Sequence, residues 1–153
     1  MKTDLTGRTA FVTGATSGLG RRFATVLAEA GAAVAIAGRR VERLESLKAE
    51  ITAKGGKCTA VALDVTDAGR IAPALEEAEK ALGPIDILVN NAGMNSQGAV
   101  LAISDAEFDQ VMNTNLRGPF LMARETARKM IARGAGGSII NIASIGALRV
   151  LPG

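Results

Sequence analysis

The sequence predicts an α/β protein built on a doubly wound parallel sheet. Short apolar runs alternate with helical patterns along all 153 residues. Apolar residues make up 48% of the chain, yet it has no Trp and no Tyr. The core must therefore consist mainly of Ala, Val, Ile and Leu, as in parallel strands buried beneath helices. Alternation of strand and helix implies right-handed crossovers. We expect a single domain over residues 1–153.

The predicted elements follow one another with clear boundaries. Five apolar runs are predicted strands: Thr9–Thr13, Ala33–Ala37, Thr59–Leu63, Ile85–Val89 and Ser138–Ile142. Helical patterns fill the intervals: Gly18–Ala30, Val41–Lys54, Asp67–Leu82 and Ser104–Arg133. Glycines follow the helices, and Asp67 and Ser104 are predicted N-caps. Pro119 predicts a bend or a break within the last helix.

A glycine-rich turn follows the first strand. Its spacing is Gly14-x-x-x-Gly18-x-Gly20, and a helix follows directly. Glycines allow a tight turn and let a pyrophosphate approach the backbone N–H groups and the helix N-terminus. We therefore expect a dinucleotide to bind here; a glycine-rich turn without a ligand is the alternative. The residues expected at the phosphates are Gly14, Thr16, Ser17, Gly18, Leu19 and Gly20.

Unusual residues also follow each of the other predicted strands. These segments are Gly38-Arg39-Arg40, Asp64-Val65, Asn90-Asn91-Ala92-Gly93 and Ala143-Ser144. The carboxyl ends of parallel strands lie at one edge of the sheet, where doubly wound folds bind their ligands. Five motifs at the same edge predict a functional site there.

The composition excludes several other functions. There is no His, and Cys58 is the only cysteine, which argues against a metal site and excludes a disulfide within the chain. The net charge is only +3 and no aromatic residues accompany the scattered basic ones, so we expect no nucleic-acid partner. No apolar run approaches the ~20 residues that span a membrane, and the N-terminus lacks a signal-peptide pattern. A cytoplasmic protein is expected.

The order of these motifs resembles the short-chain dehydrogenase/reductase family. TGATSGLG, starting at Thr13, is similar to the family's TGxxxGxG motif, and residues 90–93 to its NNAG motif. Asn115-Leu116-Arg117-Gly118 resembles its N-x-x-G motif, and SIINIAS the strand that ends on the active-site serine. The resemblance implies a Rossmann fold that binds NAD(H) or NADP(H). It also implies hydride transfer between an alcohol and a carbonyl of a small molecule, usually in a dimer or tetramer.

The end of the second strand bears on the choice of cofactor. An Asp or Glu at this distance from the glycines would hold a free 2′-hydroxyl, whereas this chain has Gly38 followed by Arg39 and Arg40. A guanidinium binds a 2′-phosphate, so NADP is favoured over NAD. The alternative is that both arginines only face solvent and NAD is accepted. The resemblance implies further cofactor contacts: Asp64 and Val65 at the adenine, and Asn91, Ala92 and Gly93 along the inner ribose.

The resemblance implies Ser144 and Asn115 as catalytic residues, in preference to the nearby Ser138 and Asn113. Family members add a Tyr-x-x-x-Lys motif about a dozen residues after the serine. This chain ends at Gly153, nine residues after Ser144. We therefore expect a C-terminally incomplete NAD(P)-binding Rossmann domain, truncated after the fifth strand and nearly inactive by itself. A non-catalytic nucleotide-binding fragment or interaction module is the alternative.

Overall fold

The computed structural model describes residues 3–96 and 100–147, in which parallel strands and helices alternate. The strands are β1 Thr9–Thr13, β2 Ala33–Gly38, β3 Cys58–Ala62, β4 Ile87–Asn90 and β5 Ser138–Asn141. The helices are α1 Gly18–Glu29, α2 Val41–Ala53, α3 Ala68–Leu82, α4 Asp105–Met112 and α5 Gly118–Ala132. Most boundaries agree with the predicted ones within a residue or two. Among the described residues, no helix has the length and apolar character needed to cross a membrane.

The five strands form one parallel sheet in the order β3-β2-β1-β4-β5. Side chains of β1 alternate between two buried clusters, as the two-residue period of a strand requires. Phe11 packs with residues of α3 and α5, whereas Ala10 and Val12 pack with residues of α1 and α2. The sheet is thus covered by helices on both faces, and the predicted doubly wound architecture is confirmed.

The winding direction of the sheet reverses at β1, which pairs with β2 on one side and with β4 on the other. The chain moves outward through β2 and β3 before it crosses back to β4. Such a reversal leaves a crevice at the carboxyl ends of the central strands. The motifs that follow β1, β2, β3 and β4 all lie at this edge.

The fourth strand begins two residues later than the sequence predicted. Its pairing with β1 starts at Ile87. Ile85 is buried, but its carbonyl accepts a hydrogen bond from the guanidinium of Arg133 at 2.7 Å instead of one from a strand. The carboxylate of Asp86 accepts hydrogen bonds from the Thr9 amide and from Arg133. A side-chain network therefore holds the segment before β4.

The last predicted helix is divided into α4 and α5 by a π turn at Asn113–Arg117. The predicted break at Pro119 is wrong in position, because Pro119 lies in the first turn of α5, where its missing N–H is tolerated. Ser104 caps α4 as predicted by accepting a hydrogen bond from the Glu107 amide, and Asp67 caps α3 in the same way. The π turn itself was not predicted.

Candidate functional site

The turn after β1 packs tightly against the segment after β4. Gly14 has a positive φ of 66°, and a Cβ added there would lie 2.8 Å from the Cα of Ala92. A Cβ added at Gly20 would collide with the carbonyl of Gly14 and the side-chain amide of Asn91. Both glycines are therefore required by close packing. The turn thus lies in direct contact with the segment after β4, and the Asn91 side chain donates hydrogen bonds across the contact to the carbonyls of Thr13 and Gly14.

The N-terminus of α1 opens into the crevice without a side-chain cap. The first amides of a helix have no partner within the helix, and they carry the positive end of its dipole. Ser17 occupies the N-cap position but makes no capping hydrogen bond, and the first turn contains no acidic residue. These properties make the helix end a suitable site for an anion.

The two arginines after β2 have different partners. Arg40 donates hydrogen bonds to the hydroxyls of Thr16 at 2.6 Å and Ser17 at 3.1 Å. Arg39 lies 3.7 Å from the carboxylate of Asp64. Both arginines line the crevice, although the Arg39 side chain is also 71% exposed. Arg40 brings a positive charge directly to the glycine-rich turn.

Asp64 follows β3 and is held in a defined orientation. Its Oδ1 accepts hydrogen bonds from the amide and the hydroxyl of Thr66, at 3.0 and 2.8 Å. Partial burial alone would raise the pKa of Asp64, but these hydrogen bonds and the positive charge of Arg39 outweigh it, and the pKa lies below its usual value. Asp64 is therefore a carboxylate at neutral pH. It does not cap α3, because Asp67 does.

Thr13 connects the two central motifs, and the sequence-based prediction missed it. Its buried hydroxyl accepts hydrogen bonds from the amides of Asn91 and Ala92, both at 3.0 Å. The side-chain amide of Asn91 in turn donates to the carbonyls of Thr13 and Gly14. A Thr between an apolar strand and a glycine is the only sequence signal for this role. The hydroxyl fixes the distance between β1 and the segment after β4.

Asn115 lies within the π turn and holds the backbone of Met94 through two hydrogen bonds. Its Oδ1 accepts from the Met94 amide at 2.9 Å, and its Nδ2 donates to the Met94 carbonyl at 2.7 Å. We call this paired interaction the amide clamp. Asn113, the competing asparagine, contributes instead a backbone carbonyl to the Gly118 amide. Met94 was not among the predicted catalytic or cofactor-binding residues.

Ser144 and Asn115 line a second depression, next to the crevice, with a volume of about 920 Å³. The two spaces share Leu19 and the segment from Asn91 to Met94. The Ser144 hydroxyl is exposed and accepts a hydrogen bond from the Gly146 amide at 3.1 Å. Ser138, the competing serine, is the first residue of β5 and therefore lies at the end of the strand away from the crevice. Asn90 has a structural role, because its side-chain amide donates hydrogen bonds to the Asn141 side chain and the Pro119 carbonyl.

The crevice has a volume of about 600 Å³ and contains most of the predicted cofactor residues. Those that line it are Gly14, Thr16, Ser17, Leu19, Arg39, Arg40, Asp64, Val65, Asn91, Ala92 and Gly93. Gly18 and Gly20 are the exceptions: they shape the start of α1 without lining the crevice. The structure thus gathers residues from four separate loops around one elongated space.

The strand order and the place of the crevice define a Rossmann-type α/β protein. The family model described as short chain dehydrogenase matches residues 8–153. Gluconate 5-dehydrogenase of Gluconobacter oxydans is 38% identical over 150 residues, which are 98% of this chain and 58% of that protein. The chain therefore belongs to the short-chain dehydrogenase family, and it spans somewhat more than half the length of this relative.

Solved structures support the same assignment. A short-chain dehydrogenase/reductase from Mycobacterium marinum is 39% identical, with a TM-score of 0.95 over 99% of this chain and 62% of that one. A gluconate 5-dehydrogenase from Burkholderia cenocepacia, solved with NADP and tartrate, is 38% identical. Its TM-score is 0.91 over 99% of this chain and 59% of that one.

Proposed function

We propose that residues 1–153 form the NADP(H)-binding domain of an oxidoreductase that interconverts an alcohol and a carbonyl in a small molecule. The observation that carries this proposal is the combination of an uncapped helix N-terminus, a glycine-lined turn and Arg40 around one crevice. Relatives that act on gluconate and galactitol support a polyhydroxylated substrate class.

The residues fit the charge and shape of a dinucleotide. The pyrophosphate would lie against the amides at the start of α1, where no side chain competes for them. Arg40 would exchange its hydroxyl partners on Thr16 and Ser17 for oxygens of a 2′-phosphate, because the phosphate is negatively charged and can accept two parallel hydrogen bonds from the guanidinium, whereas the hydroxyls are neutral. NADP and NADPH occupy three of the related structures, which supports this preference.

The adenine and the inner ribose would lie on opposite sides of the phosphates. Asp64 uses Oδ1 to hold Thr66, so Oδ2 is the oxygen that would accept from the adenine amine. Val65 forms the neighbouring wall. The segment formed by Asn91, Ala92 and Gly93 would lie along the inner ribose. The Thr13 hydroxyl fixes the position of this segment by accepting hydrogen bonds from the amides of Asn91 and Ala92.

The second depression would hold the reacting end of the complex. The nicotinamide supplies or accepts the hydride when the cofactor is bound. Ser144 would orient the substrate oxygen by a hydrogen bond, and Asn115 would position the Met94 segment through the amide clamp. Because the 153 residues contain no Tyr and no His, we expect this chain by itself to bind the cofactor without rapid turnover.

We further propose that the whole protein forms a homo-oligomer. Large apolar side chains on α4, the π turn and α5 are exposed, among them Phe108, Leu116 and Phe120. Neighbouring exposed apolar residues on helices commonly mark a protein–protein interface. Light scattering during size-exclusion chromatography tests this, and Phe120→Glu is expected to shift the protein towards the monomer.

Calorimetric titration of the chain with NADPH and NADH tests the cofactor assignment. We expect Arg40→Gln to weaken NADPH binding by about tenfold, because a charge-assisted contact to the 2′-phosphate is lost. NADH binding should change little. Arg43→Gln is the matched control, because it removes the same charge from α2 outside the lining of the crevice.

Three results would count against the proposal. Failure of both dinucleotides to bind at millimolar concentration would refute it. Equal loss of NADPH and NADH binding in Arg40→Gln would refute the 2′-phosphate contact, and so would an equal effect of Arg43→Gln.

A further inference from the structure

Gly118 brings the π turn into direct contact with the connection that follows β3. A Cβ added at Gly118 would lie 2.9 Å from the Val65 carbonyl oxygen and 3.0 Å from its Cγ2. The backbone angles at Gly118 are φ −58° and ψ −58°, which any residue adopts in a helix. Glycine is therefore needed at this position for its size and not for its conformation.

Val65 itself belongs to the crevice. It lines the adenine end next to Asp64, and its side chain is 7% exposed. One side of Val65 thus faces the crevice, while its carbonyl and Cγ2 meet Gly118. Because Gly118 has no side chain, no flexible group separates Val65 from the backbone of the turn. Close-packed contacts of this kind transmit small displacements.

The other side of the same turn holds the amide clamp. Asn115 lies three positions before Gly118, and the Gly118 amide donates to the Asn113 carbonyl, which closes the π turn around Asn115. The side chain of Asn115 pairs with the backbone of Met94 beside the second depression. One short turn therefore contacts the adenine end of the crevice and also holds the segment at its reacting end.

We propose that Gly118 is a positioning residue that couples occupancy of the adenine end to closure of the amide clamp on Met94. This inference rests on the proposed function, which assigns the adenine to Asp64 and Val65. A ligand that packs against Val65 restricts its movement, so the backbone contact at Gly118 restricts the π turn. Asn115 then holds Met94 for a larger fraction of the time. Conversely, a closed clamp favours adenosine binding, as linkage requires.

Hydrogen exchange at the Met94 amide tests this coupling in the full 153-residue chain. The probe is adenosine 2′,5′-bisphosphate, which carries the adenosine half of NADP and lacks the nicotinamide half. Its binding is measured separately by calorimetry, and exchange is measured with the probe at saturation. We expect the probe to slow exchange at Met94 by about fivefold or more in the unmodified chain. In Gly118→Ala this effect should disappear, because the added methyl group displaces Val65.

The matched control is Gly136→Ala, because a Cβ there meets nothing within 4 Å. This variant should retain the full slowing. If Gly118→Ala fails to fold in far-ultraviolet circular dichroism, Val65→Ala provides the second test. It opens a gap at the same contact instead of a clash, and we expect saturation to leave Met94 exchange unchanged in this variant.

The outcomes separate the inference from the function on which it rests. If the unmodified chain binds neither the probe nor NADPH, the proposed function fails, and the inference fails with it. Binding of the probe without slower exchange at Met94 refutes the coupling alone. Slowing that persists in Gly118→Ala, or in Val65→Ala where the first variant does not fold, also refutes it. If the probe no longer slows exchange at Met94 in Gly136→Ala, this effect does not depend on the contact between Gly118 and Val65, and the coupling is refuted.

Discussion

The two outer strands of the sheet, β3 and β5, differ in how completely other parts of the chain cover them. At β3, Val61 is fully buried because α2 and α3 pack against the strand. At β5, all four side chains are exposed in the described part of the chain, including Ile139 and Ile140. The difference divides the molecule into a first half, β1–β3 with α1–α3, and a second half, β4 and β5 with α4 and α5.

This comparison shows that the two halves of the candidate site rest on different kinds of support. The crevice, which is lined mostly by the loops that follow β1, β2 and β3, is shaped by buried strands and tightly packed glycines. The second depression depends on individual hydrogen bonds, such as the amide clamp and the contact of Ser144 with Gly146. We expect the first half to be stable and selective for its cofactor by itself. The hydrogen bonds of the second half should respond to small changes in the residues that form them.

Truncation of the same residue type in each half gives the largest expected contrast. Ile36 in β2 is fully buried, whereas Ile140 in β5 is 44% exposed. We expect Ile36→Ala to lower the free energy of unfolding by about 3 kcal/mol, because it leaves a cavity in the core. Ile140→Ala should lower it by about 1 kcal/mol or less, because folding buries only part of this side chain and its removal loses little apolar burial. Urea denaturation of both variants measures this, and equal costs would contradict the comparison.

The boundary between the halves is tested by Thr13→Val. The valine has a similar volume but leaves the partly buried amides of Asn91 and Ala92 without their acceptor. We expect a loss of about 2 kcal/mol in the free energy of unfolding. Thr13→Ser keeps the hydroxyl and should lose clearly less. If the serine variant is as unstable as the valine variant, packing and not hydrogen bonding joins the halves.

The amide clamp should contribute a smaller amount. Asn115→Ala removes two hydrogen bonds at a partly exposed site, so we expect a loss of about 1 kcal/mol. Faster hydrogen exchange at Met94 should accompany it. Asn113→Ala lies in the same turn, and its side chain has no role in the clamp, so exchange at Met94 should stay unchanged. Faster exchange in both variants would indicate that the whole turn, not the clamp, holds Met94.

The smallest effect at neutral pH concerns Cys58 in β3. Burial raises the pKa of its thiol from 9.0 to about 12. Between these two pH values the folded protein keeps the thiol proton, whereas the unfolded chain loses it. The contribution of the protonated Cys58 to the free energy of unfolding is therefore complete below about pH 9 and is lost as the pH rises towards 12. At pH 8 we expect slow alkylation by iodoacetamide in the folded protein and rapid alkylation in urea.

A thiol placed at the other edge makes this test comparative. Ile140→Cys in a Cys58→Ser background should react at the rate of an ordinary exposed thiol. Similar rates for the two folded proteins would mean that the two edges are equally accessible, and the contrast between the halves would then be wrong.

The sequence predicted the first half more accurately than the second. Both ends of β1 were correct, because apolar residues stop at Thr13 and a glycine follows. The crevice was predicted because its motifs all follow parallel strands. The π turn was not predicted, because no residue type in Asn113–Arg117 marks the backbone hydrogen bond from Gly118 to Asn113 that closes it. The partners of Arg40 were likewise invisible, since they belong to a different loop.

Central placement of the first strand has a consequence for how the protein is made. Ala10 pairs with Ile87, and Asn90 marks the end of the partner strand. At translation rates of roughly 5–20 residues per second, β4 leaves the ribosome on the order of ten seconds after β1, so β1 lacks this partner for that time. During that interval an apolar strand of five residues has one unpaired edge. A newly made chain is therefore most open to chaperone capture, or to pairing with another nascent chain, before residue 90 emerges.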